Sequence, residues 1–213
     1  SGPPTLADGG CPASTPTPSK APCQRGHGTE WLSTGALLKP EYVPCSCQGW
    51  EEKQTTKRMQ WANLPEGLPI TFENFQPLPG TERAISAIRQ FAETSCTYHI
   101  LTLVGGYGSG RTHLLEALGR NMLESGHYVR YEYVPVFLDD LRATYEEDAE
   151  VKFPERWAMY ARAPVLLLDD LGAEKASEWA VEKLTALVSE RYRTGARLVV
   201  ATNLDFDQMA EKE

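Results

Sequence analysis

A chain of 213 residues can bury one sizeable core plus a small appendage, and its 41% hydrophobic and 23% charged residues suit an ordinary globular protein. No run approaches the roughly 18 apolar residues of a membrane span, and the first residues lack the basic start and apolar stretch of a secretory signal, so a cytosolic protein with no membrane partner is expected. A net charge of −8 argues against coating nucleic acid by bulk electrostatics, although a local basic patch can still hold a strand.

Residues 1–22 are rich in Pro, Ser, Thr, Gly and Ala. Such a segment buries too little surface to offset its ordering entropy, so a disordered tail is expected. Residues 23–50 hold three cysteines, a histidine and two tryptophans with little periodicity. A module this small needs a staple such as a metal ion. Residues 51–69 are polar, end in Leu-Pro-Glu-Gly-Leu-Pro and suit a linker.

From Ile70 the chain alternates strands and helices and forms the main domain, residues 70–213. Ile85, Ile88 and Phe91 share one face of a helix over 81–94. A short apolar strand over 98–104 ends in glycines. Leu115, Leu118 and Met122 mark a helix over 111–124, with Ser125-Gly126 to stop it. A strand at 128–134, a helix at 136–145 and a continuously apolar strand at 165–169 follow. The last pair is an amphipathic helix at 178–193, stopped by Gly195, and a strand at 198–201. Strands separated by helices predict an α/β fold, a parallel sheet flanked by helices on both faces. Trp157, Trp179, Tyr192 and Cys96 are expected in its core, and the acidic run 146–150 at a solvated helix end.

Strand, glycine loop and helix form the context of a phosphate-binding P-loop. Here the loop is Gly105-Gly106-Tyr107-Gly108-Ser109-Gly110-Arg111-Thr112. Its glycines let backbone N–H groups approach phosphate oxygens, and the helix points its positive end at the same anion. Thr112 is suited to hold Mg²⁺ through its hydroxyl. Arg111 stands where a lysine is usual, keeping the charge but adding length and a planar fork, so binding can survive while hydrolysis suffers. His113 follows at once and could lie near the nucleotide by position, but a helix-surface role is the reading favoured. The apolar strand Val165-Leu166-Leu167-Leu168 delivers Asp169 and Asp170 at its carboxyl end, where ligands of parallel sheets bind. Asp169 suits the magnesium shell and Asp170 the polarising of an attacking water. Asn203, at the tip of the last strand, either bonds the γ-phosphate or water, or caps a following helix.

These motifs, together with Leu-Asp-Asp-Leu-Gly-Ala-Glu (168–174), Glu-Arg-Tyr (190–192), Ala-Thr-Asn-Leu (201–204) and the entry Ile70-Thr71-Phe72-Glu73-Asn74-Phe75, resemble bacterial replicative-helicase loaders of the DnaC/DnaI type. More distantly they resemble the IstB-type ATPases that assist transposition. The resemblance implies an AAA+ ATPase that binds ATP and Mg²⁺, single-stranded DNA and a ring helicase, and self-associates through its core. It implies magnesium-side roles for Thr112 and Asp169, the catalytic acid of the Walker B pair for Asp170, and the sensor for Asn203. The chain stops at Glu213, before the family's arginine finger and second sensor, and a sheet ending there would have an exposed edge, so a longer parent chain is expected. Two other functions remain open: a nucleotide-switched adaptor with little turnover, and a transposition helper.

Cys23, His27, Cys45 and Cys47 offer three thiolates and an imidazole, the donor set of a closed tetrahedral Zn²⁺ site. Loaders of this type carry a similar cysteine segment. Gly28-Thr29-Glu30-Trp31 resembles its middle, while Gly26 stands where a second cysteine would be, so His27 or Cys11 supplies the fourth ligand. A metal-free remnant and unrelated thiols are the alternatives.

Overall fold

The computed structural model describes residues 29–32, 41–44, 48–67, 70–93, 95–172 and 177–204. The chain divides into two compact units, residues 1–54 and 55–213. The first contains a hairpin in which β1 (Thr29–Leu32) pairs antiparallel with β2 (Glu41–Pro44), Thr29 opposite Pro44 and Trp31 opposite Tyr42. Four-residue strands are too short for alternation to be visible, so no strand is legible there. The expected tail at residues 1–22 and the candidate ligands Cys11, Cys23, His27, Cys45 and Cys47 lie outside the described residues.

Part of the expected linker at 51–69 is instead helical, in α1 (Gln48–Ala62). Glu, Lys, Gln, Arg and Met dominate it and all favour helix, but they are polar all round and leave no apolar stripe to read. Its last turn docks on the main sheet. Ala62 is fully buried, Arg130 Nη1 donates to the Trp61 carbonyl at 2.8 Å, and Asn63 Nδ2 donates to the Tyr131 carbonyl at 3.1 Å.

The second unit continues with α2 (Glu82–Ala92), β3 (Ile100–Val104), α3 (Arg111–Glu124), β4 (Val129–Tyr133) and α4 (Val134–Ala143). It ends with α5 (Phe153–Ala161), β5 (Val165–Leu171), α6 (Glu178–Thr194) and β6 (Arg197–Thr202). The strands are all parallel, in the spatial order β3-β6-β5-β4. Of these elements from α2 onward, α5 alone is unforeseen; it spans nine residues, too short for a clear 3.6-residue period.

Both faces of the sheet are covered, as its continuously apolar strands require. Val165 and Leu167 of β5 pack with α2 and α3, whereas Leu166 and Leu168 pack with α4, α5 and α6. Helix α3 approaches the sheet closely at Gly119, where a Cβ would come within 3.0 Å of Leu167 and of Leu64. A larger residue there would lift the helix that carries the glycine loop. Trp157 and Trp179 are half-buried against the α4–α6 core, as expected. Tyr192 is not; it is 76% exposed, because it lies on the outer face of α6 beside the buried Arg191. Cys96 is half-buried rather than fully so, its thiol donating to the Tyr98 carbonyl at 3.4 Å.

Among the described residues, Arg191 is the largest fully buried side chain. Nη1 donates to the carbonyls of Tyr160 (2.9 Å) and Ala161 (3.1 Å), and Nη2 to those of Ala163 (2.9 Å) and Arg197. Burial lowers its pKa to about 10, which still leaves it charged at neutral pH. One guanidinium thus serves the orphan carbonyls at the end of α5 and the starts of β5 and β6. Arg191→Met would strand those buried acceptors and is expected to cost more than about 3 kcal/mol in urea unfolding. Arg191→Lys should also destabilise, since one ammonium cannot reproduce the fork.

Candidate functional site

The order β3-β6-β5-β4 sets β6 between the strand that precedes the glycine loop and the strand that carries the two aspartates. Their carboxyl ends are therefore neighbours. The loop is tied to this edge by Gly105 N–H, which donates to the Thr202 carbonyl at 3.3 Å. Gly110 begins α3 with a φ of +83°, and a Cβ there would lie 2.6 Å from Phe75 Cε2. Conformation and space both demand glycine at that position.

A cavity of about 250 Å³ lies against Gly108, Ser109, Gly110, Arg111 and Thr112. Buried polar atoms normally have partners, yet Ser109 Oγ, Arg111 Nη1 and Asn203 Oδ1 have none. The first two are donors and suit an anion; the third is an acceptor and suits a water. Asn203 Nδ2 meanwhile donates to the Tyr107 hydroxyl at 2.8 Å, linking the tip of β6 to the loop. Thr202, fully buried, donates to the Leu171 carbonyl at 2.7 Å and accepts from Leu204 N–H at 3.1 Å, which fixes the backbone on either side of Asn203.

On β5, the pairing with β6 slips by one residue between Leu168 and Leu171. Asp170 occupies this bulge with a φ of +59°, a left-handed conformation that aspartate tolerates better than most residues. The bulge turns Asp169 and Asp170 into different surroundings. Asp169 is 4% exposed and accepts a hydrogen bond from the Tyr131 hydroxyl at 2.7 Å. Asp170 is half-buried, with the Tyr133 hydroxyl 3.4 Å from its Oδ2. Burial and the nearby Asp169 both raise the Tyr131 pKa, so the phenol keeps its proton and acts as the donor.

A second buried carboxylate, Glu116, stands one turn beyond Thr112 on α3. Burial raises its pKa, and the charge of Asp169 adds to the effect against Arg120 and His113. Nothing in the sequence singled out Glu116, Tyr131 or Tyr133, because acids and tyrosines inside an amphipathic pattern look like surface. His113 Nε2 lies 2.9 Å from the Thr71 carbonyl and the ring packs edge-on to Phe75, so it fastens α3 to the entry segment. Among the described residues no group of three or more His, Cys, Asp and Glu is arranged to hold a metal ion alone.

The sequence matches the family of IstB-like ATP binding proteins over residues 49–212. The chain belongs to that family. It is also similar to the chromosomal replication initiator protein DnaA of Thermotoga petrophila, 27% identical over 143 residues, covering 66% of this chain and 32% of the relative. It thus spans about a third of the length of the curated relatives it matches. The fold resembles that of the DnaC helicase loader, with 25% identity and a TM-score of 0.58 over 68% of this chain and 85% of the other. It also resembles the replication initiator DnaA bound to AMPPCP and single-stranded DNA, with 22% identity and a TM-score of 0.58 over 65% of this chain and 43% of the other. The domain is thus an AAA+-type P-loop fold related to replication proteins. No helix among the described residues is long and apolar enough to cross a membrane.

The raised pKa of Glu116 has a consequence for this IstB-like domain. The folded chain binds that proton more tightly than the unfolded one, so stability falls as pH rises through the raised value. Without nucleotide or divalent metal, Glu116→Gln should narrow the difference in thermal midpoint between about pH 5 and about pH 8, with the variant the more stable at the higher pH.

Proposed function

We propose that this chain is the ATP-binding part of a helicase loader acting in DNA replication, binding single-stranded DNA and a ring helicase. The observation that carries the nucleotide reading is the set of unpartnered atoms, Ser109 Oγ, Arg111 Nη1 and Asn203 Oδ1, gathered around the glycine loop. The loop's backbone N–H groups and Arg111 hold phosphate, while Thr112 and Asp169 hold magnesium, which neutralises phosphate charge when bound. Asp170 polarises the attacking water, and Asn203 orients it or senses the γ-phosphate. Gly105, Gly106, Tyr107 and Gly108 complete the cradle, and His113 supports it through Thr71. The loader assignment is supported by the similarity to the DnaC helicase loader, and the DNA partner by the likeness to DnaA bound to single-stranded DNA. Self-association through the AAA+ core belongs to the same reading.

A fluorescent ATP analogue should bind the full chain, more tightly with Mg²⁺ than with chelator, and Arg111→Ala should weaken it about tenfold or more. Absence of binding would remove the ATPase reading. Arg111→Lys should raise turnover if the wild-type chain is a slow, nucleotide-switched adaptor, and no gain would sink that version.

The family match itself favours a second reading, a transposition helper that binds duplex DNA and a transposase. Co-precipitation with a replicative ring helicase, against a transposase as the alternative bait, separates the two. The loader reading expects the helicase and salt-sensitive binding of single strands.

Cys23, His27, Cys45 and Cys47 are proposed as a structural zinc site. In support, the hairpin register sets Thr29 opposite Pro44, two residues after His27 and one before Cys45. Elemental analysis of chain purified without chelator should find one zinc per chain, and Cys45→Ser together with Cys47→Ser should abolish it. Metal-free chain with full stability would end this proposal.

A further inference from the structure

We propose that Tyr131 is a positioning residue for Asp169, fixing which oxygen of that carboxylate faces the magnesium side of the nucleotide site. The inference rests on the nucleotide-site reading above. Tyr131 sits on β4, opposite Leu167, and the register carries on to Tyr133 opposite Asp169. Alternation therefore sets Tyr131, Leu167 and Asp169 on one face of the sheet, the face that α3 covers. There the Tyr131 hydroxyl, on a residue only 6% exposed, donates to Asp169 Oδ2 at 2.7 Å.

A phenylalanine would fill the same volume without the desolvation cost of a hydroxyl, so packing alone does not account for the phenol. What the hydroxyl adds is restraint. With Oδ2 held, rotation of the carboxylate is arrested and the direction of Oδ1 is set with it. Asp169 immediately precedes Asp170 in the bulge of β5, where the ladder to β6 is interrupted. Neighbouring groups that hold a metal-side ligand typically alter metal affinity about 10–100-fold when removed.

The test uses the full chain, a fluorescent ATP analogue at fixed concentration and a Mg²⁺ titration, repeated with Mn²⁺ followed by its paramagnetic resonance signal. Tyr131→Phe should raise the half-saturating metal concentration about tenfold, while analogue affinity in chelator stays at the wild-type value. A purely structural role would lower the thermal midpoint of the metal-free chain and leave the metal titration unchanged, and that result overturns the proposal. Tyr131→Met, which fills the space without a donor, carries the same expectation and is read if the Phe chain fails to fold. A wild-type chain whose analogue binding ignores Mg²⁺ brings down the nucleotide-site reading first. A wild-type dependence that both variants retain brings down only the role of Tyr131.

Discussion

A buried guanidinium at one end of the sheet sets the geometry at the other. Arg191 bonds the last carbonyls of α5, the carbonyl of Ala163 just before β5, and that of Arg197 at the start of β6. In a parallel sheet, fixing the relative starts of two neighbouring strands fixes where both finish, apart from bulges. β5 and β6 then end as neighbours, with Asp169 and Asn203 within the same edge. An apolar side chain at position 191 would pack more cheaply but would have no means of setting this stagger, since hydrophobic contact is non-directional.

The carboxyl edge then departs from regular structure at the positions where chemistry is proposed. The single-residue bulge around Asp169 and Asp170 would misalign everything after it, but Thr202 bonds the Leu171 carbonyl and recovers the pairing. Strain at Asp170 is thereby confined to one residue rather than spread along the strand. Gly105 bonds the same Thr202 from the other side, through its carbonyl. Thr202 is thus the point at which the glycine loop, the aspartate strand and the tip of β6 are joined.

Most of the fold was legible because it obeys simple periods. Leu115, Leu118 and Met122 lie where the helical repeat puts them, and Val165 to Leu168 are apolar because both faces of β5 are covered. The failures have equally local causes. Helix α1 is polar on every side, so no stripe reported it; α5 is short; and β1 and β2 are four residues each. In the candidate site, the loop and the aspartate pair could be read because their residue types are unusual in those settings. Tyr131 and Glu116 could not, since their burial depends on strand order and on how closely Gly119 lets α3 approach the sheet. Long-range placement of that kind has no signature in neighbouring residues. Arg191 is the sharpest case: an arginine in the last turn of a helix looks like a favourable charge on the macrodipole, yet here it is completely buried.

The arginine in the glycine loop carries the clearest sign of an absent partner. Arg111 runs beside the start of the loop, its Cδ 3.8 Å from where a Gly105 Cβ would be, an ordinary van der Waals distance. The side chain that crowds position 105 is that of Ser109, whose Oγ would lie 2.8 Å from such a Cβ. Arg111 Nη1 is buried and unpartnered, although burying an unpaired polar atom costs free energy. An anion arriving there would gain a donor already desolvated and held by the loop, which favours binding in the ground state.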